Sequence, residues 1–96
     1  MVWKWAPFFV LEWLGAAGIE PHEIMQVLEA EQRWPRPAVS ASNGLRPLTI
    51  WGRTRTGRTL VVAVRHLDGR DWEIVGARAL TSGELAEFEK WEAGRG

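Results

Sequence analysis

Nine arginines crowd the middle of this chain: Arg33, Arg36, Arg46, Arg53, Arg55, Arg58, Arg65, Arg70 and Arg78. Between residues 33 and 78 only Asp68, Asp71 and Glu73 oppose them, a regional charge of +6. A guanidinium can clamp a phosphate through two parallel N–H bonds and stabilise charge building on a phosphoryl group. The same groups also suit a solvated sheet edge kept from pairing with other edges. Spacing alone leaves both uses open. His66 is the proton-transfer candidate in this region, because imidazole titrates near neutrality. Glu73 could serve as a general base, or balance Arg53 or Arg58 in a cross-strand ion pair. Trp51 and Trp72 offer faces for stacking on bases or on guanidinium groups.

Composition closes off other chemistries. The chain has 96 residues, enough for one domain spanning 1–96, and no cysteine, so no disulfide or thiolate metal site is expected. Its two histidines, His22 and His66, are far apart, and no carboxylate cluster suggests a magnesium site. No metal or other cofactor is expected. No apolar run approaches the roughly 20 residues that cross a bilayer, so no membrane partner is expected. The opening MVWKWAPFFVLEWLGAAG is interrupted by Glu12 and has Lys4 as its only early positive charge, which argues against a secretion signal, while the absence of cysteine fits a cytoplasmic protein. The whole chain is neutral, with 12 basic and 12 acidic residues. That balance hides a polarity: residues 1–32 sum to −4 and residues 79–96 to −2. A basic middle between acidic flanks favours an anionic partner on one side.

The elements that would position these groups follow from periodicity. Val2–Trp5 reads as a short edge strand. Pro7–Ala17 places Val10, Trp13 and Leu14 on one helical stripe, and a second helix starts at Pro21 with Ile24, Val27 and Leu28 buried. Trp34-Pro35-Arg36-Pro37 reads as its stop, because a residue before proline avoids the α region. Ala38–Gly44 reads as a loop. Leu48–Thr81 reads as three antiparallel strands, turned first at Thr54–Gly57 and then at Asp68-Gly69. A two-residue second turn would set Arg65 opposite Trp72, His66 opposite Asp71 and Val64 opposite Glu73. Trp51, Arg53, Arg58, Leu60, Val62, Val64, His66 and Glu73 would then share one face. Thr81 and Glu84 form a capping box before a last helix carrying Leu85, Phe88 and Trp91. The expected class is α+β: two N-terminal helices, a three- to four-stranded antiparallel sheet and a C-terminal helix.

Three stretches carry a family resemblance: I-W-G-R-T at Ile50–Thr54, G-R-T-L-V-V-A-V at Gly57–Val64, and W-E-I-V-G-A-R-A-L-T-S-G-E at Trp72–Glu84. Their order and spacing resemble the BrnT family of type II toxin–antitoxin ribonucleases, relatives of the RelE toxins. Upstream, E-W-L-G-A-A-G-I-E-P-H-E-I-M-Q-V-L resembles that family's helix–glycine–helix entry. The chain departs from the pattern at Ala16-Ala17, where the family has Lys-His, and around Arg46-Pro47, where it has Glu-Arg. It departs again at Glu73 and Ala79, where the family has arginines.

The resemblance implies a RelE-like fold and metal-independent cleavage of mRNA that inhibits translation. The RNA 2′-OH would attack its neighbouring phosphate. In that scheme Arg53 and Arg78 stabilise the developing charge, while His66 or Glu73 moves the proton. Arg55, Arg58, Arg65, Arg70, Trp51 and Trp72 would hold the RNA. A cognate antitoxin would be the protein partner, with DNA reached only through it. The alternative expectation is a non-catalytic member of that fold, whose basic sheet docks nucleic acid or an acidic protein.

Overall fold

The computed structural model describes residues 2–5, 18–37 and 48–95. The elements are β1 (Val2–Trp5), α1 (Pro21–Glu29), β2 (Trp34–Pro37), β3 (Leu48–Arg53), β4 (Thr59–His66), β5 (Asp71–Ala79) and α2 (Ser82–Arg95). The helix expected at Pro7–Ala17 and the loop expected at Ala38–Gly44 lie outside the described residues.

The fold is α+β, but the expected architecture needs correction. The sheet has five strands in the order β1-β5-β4-β3-β2, and it is mixed, because β1 runs parallel to β5. The two helices among the described residues stand in the middle and at the C-terminus of the chain. Trp34–Pro37 ends the α1 segment as expected, yet it then pairs with β3 as an edge strand. The physics is shared: the restriction that ends a helix before proline also extends the backbone. With period two, Pro35 and Pro37 take the same side and Trp34 and Arg36 the other, so an edge strand accommodates both prolines. The Arg36 carbonyl accepts a bond from Thr49 Oγ1 at 2.8 Å.

Both hairpins are longer at the turn than expected. Leu67 N–H donates to the Asp71 carbonyl at 2.9 Å, leaving Asp68–Arg70 as a three-residue loop with Gly69 at φ 54°. Thr54 N–H likewise donates to the Arg58 carbonyl at 2.8 Å, with Gly57 at φ 90°. One extra loop residue slips the register by one and sends side chains to the opposite face. His66 therefore pairs with Trp72, Arg65 with Glu73, and Val64 with Ile74, and Trp51 pairs with Val61. A register shift between Ala63 and Val64 then leaves Val75 unpaired, so Ala63 faces Gly76.

Two cores result. On one face Ile50, Leu60, Val62, Val64, Ile74 and Ala77 pack against Ile24, Val27 and Leu28 of α1. Gly52 permits the approach, since a Cβ there would lie 3.0 Å from Val27 Cγ1. Glu23 accepts the Glu20 N–H at 3.0 Å at the start of α1, and Arg33 Nη1 donates to the Leu28 carbonyl at 2.7 Å near its end. On the other face Trp51 and Val61 bury against Phe88 of α2, with Trp34, Leu80 and Trp91 around them. No helix among the described residues is long and apolar enough to cross a membrane.

Candidate functional site

The arginine-bearing face lies beneath α2, and three strands build it. Arg36 comes from β2, Arg53 from β3 and Arg78 from β5. Each one meets a glutamate of the helix. Arg78 is bonded to Glu84 through both terminal nitrogens, with Nη2 to Oε2 at 2.8 Å. Arg36 Nη1 reaches Glu87 at 2.8 Å. Arg53 donates from Nε and Nη2 to Glu92, at 2.9 and 3.0 Å, while Glu89 lies 3.9 Å away. All four glutamates of α2 thus face sheet arginines.

Aromatic rings complete this face. The Arg36 guanidinium lies 4.5 Å from the Trp34 ring and 4.8 Å from that of Trp51. Trp91 stacks on Trp34 with a centroid distance of 5.1 Å and an interplanar angle of 4°. Arg53 passes 5.7 Å from the Phe88 ring. Flat cations and flat rings interleave here as they do in stacking platforms.

The ion pairs set the local electrostatics. Hydrogen bonds from Arg78, helped by Thr81, overcome partial burial and hold the Glu84 carboxyl down at about 2. Thr81 Oγ1 accepts the Glu84 N–H at 3.2 Å and Glu84 accepts the Thr81 N–H at 2.9 Å, so the expected capping box forms. Hydrogen bonding to Glu92 raises Arg53, and hydrogen bonding to Glu84 raises Arg78. Glu23 is lowered, first by its bond from the Glu20 backbone and then by Arg58.

The four residues expected to do chemistry do not converge. Arg53 and Arg78 share a face and an end of the sheet, two strands apart. Glu73 shares that face but stands toward the far end of β4 and β5, bonded to Arg65. His66 is on the opposite face beside Trp72, its Nε2 at 2.9 Å from the Gly69 carbonyl oxygen. Asp71, expected opposite His66, instead binds Lys4 at 3.0 Å. The shared face expected for Arg53, Arg58, His66 and Glu73 is therefore split by the register slips.

The residues expected to hold RNA are also divided. Trp51 lies in the α2 core, while Trp72 borders the α1 core. Arg58 Nη1 donates to the Gly18 carbonyl at 2.8 Å and to Glu23 at 3.2 Å. Among the described residues, the side chains of Arg55 and Arg70 have no ion pair, and they occupy turns at opposite ends of the sheet. Arg55 does line a cleft of about 250 Å³ with Arg53, Thr54, Gln26, Glu29 and Ala30. Its backbone N–H donates to Gln26 Oε1 at 3.0 Å. Among the described residues no group of three histidine or carboxylate side chains could hold a metal.

Sequence reasoning missed Arg36 and the carboxylates Glu84, Glu87 and Glu92. Alternation in Trp34-Pro35-Arg36-Pro37 was the available signal for Arg36, and the acidic last helix beside a basic sheet was the signal for the others. No protein-family model matches the chain, and no curated protein matches it.

Proposed function

We propose that this chain is a non-catalytic binding protein whose arginine-bearing sheet face docks nucleic acid. One observation carries the reading. Arg36, Arg53 and Arg78 share a face with Trp34 and Trp51, whereas His66 lies on the other face and Glu73 is spent on Arg65. Guanidinium groups and indole rings supply phosphate contacts and base stacking, which is binding chemistry. Strand cleavage would also need a proton acceptor within hydrogen-bond reach of the attacking hydroxyl. Neither candidate acceptor stands with the arginine pair. The family departures at Glu73 and Ala79 agree, since both take away arginines. A cytoplasmic setting belongs to this reading.

A mixed-sequence, end-labelled RNA tests it. Binding at low salt should weaken steeply as salt rises, because phosphate contacts release counterions. The RNA should stay intact. Cleavage that disappears in Arg78→Ala would replace the binding reading with an enzymatic one.

The second reading is a metal-independent endoribonuclease toxin held in check by a cognate antitoxin. The ordered motif stretches at Ile50–Thr54, Gly57–Val64 and Trp72–Glu84 favour it. Induced expression in bacteria separates the two, since a toxin arrests growth and Arg78→Ala relieves the arrest.

A further inference from the structure

We infer that α2 is an intramolecular stand-in for a single-stranded nucleic acid: it occupies the arginine face, and a strand must displace it to bind. The inference rests on the proposed binding function and adds to it a built-in competitor.

Its basis is the kind of contact α2 makes. Glu84, Glu87 and Glu92 each bond a different strand's arginine, and two of those pairs use the forked geometry that guanidinium also offers to phosphate. Trp91 lies parallel on Trp34, as an unstacked base lies on an aromatic platform. The helix thus presents carboxylates where phosphates would bind and an indole where a base would stack. Phe88 is the one fully buried side chain among the described residues of α2. The ion pairs are half open to water, with Arg36, Arg53 and Arg78 between 34% and 51% exposed. Such pairs are weak and salt-sensitive. A polyanion can compete for them.

The test compares three proteins for binding a 12-nucleotide mixed-sequence RNA at fixed low salt. In the triple variant Glu84→Gln, Glu87→Gln, Glu92→Gln the arginines are intact but α2 no longer competes. The charge-matched control Glu29→Gln, Glu31→Gln, Asp68→Asn changes the net charge equally at carboxylates that bond no arginine among the described residues. The triple variant should bind about tenfold more tightly than the parent, equivalent to roughly 1.4 kcal/mol. The control should gain less than threefold. Equal gains in both would overturn the inference, because bulk charge would explain them.

Hydrogen exchange on the parent protein guards against misfolding of the variant. Added RNA should strip protection from α2 amides and leave β4 protected. RNA bound with α2 fully protected overturns the inference while leaving the binding function standing. No RNA bound by any of the three proteins overturns the binding function itself. Displacement of α2 by an acidic helical peptide, with RNA inert, overturns the choice of ligand.

Discussion

Phe88→Ala removes the one fully buried side chain among the described residues of α2. The ring packs beside Trp51 and Val61, lies 5.5 Å from Trp91 by ring centroid, and supports the Arg53 guanidinium. Truncating a buried phenylalanine costs about 3–5 kcal/mol, through lost transfer energy and the cavity left behind. The remaining tethers of α2 are three half-exposed ion-pair sites worth at most about 1 kcal/mol each, together with the half-buried Trp91 ring. A domain of this size is stable by about 5–15 kcal/mol in total, so the substitution removes a large share. The loss should fall first on α2, whose docking has little else behind it. The α1 core contains none of the altered atoms. The assay pairs urea unfolding, read by tryptophan emission, with native-state hydrogen exchange. Protection of α2 amides should drop by a factor of about 100 or more, while β4 amides keep more of theirs. A global loss below about 1 kcal/mol with α2 protection unchanged would refute the reasoning.

Gly52→Ala places a Cβ 3.0 Å from Val27 Cγ1 and should cost about 1–3 kcal/mol in urea unfolding, because α1 must shift or Val27 must turn. Gly69→Ala puts a side chain at φ 54° in the β4–β5 loop and should cost about 1 kcal/mol by the same measurement. The Glu84 pair predicts an acid-labile helix. Its folded carboxyl sits at about 2, below the ordinary value of 4.5, so the contribution is complete above about 4.5 and is lost as pH falls through about 2. Since Arg78 is 51% exposed, screening discounts this contribution to at most about 1 kcal/mol. Exchange of α2 amides at pH 5 and pH 2.5 should show the change, and Glu84→Gln should flatten it.

Much of the fold is legible in the residues. Ile24, Val27 and Leu28 mark α1, Thr81 and Glu84 cap α2, and the strand positions follow from alternation. What the residues hide is register. Thr54–Arg58 and Leu67–Asp71 each close one residue beyond the obvious turn, and a slip of one exchanges the faces of a strand. That single-residue ambiguity put His66 on the same face as Arg53 in the expectation, whereas in the structure the two lie on opposite faces. The edge strand Trp34–Pro37 was hidden for another reason: two prolines in four residues suggest a break, and only its partner β3 makes a strand of it. Non-local pairing of this kind leaves no local signature. The parallel pairing of β1 with β5 joins residues about seventy positions apart and is equally invisible to periodicity.

The most direct measurement is a titration of RNA into the parent protein, followed through the arginine side-chain Nε–H resonances. The account predicts that signals of Arg36, Arg53 and Arg78 move together as they exchange glutamate for phosphate. Movement confined to Arg55 and Arg70, the described arginines in the turns that lack an ion pair, would contradict it.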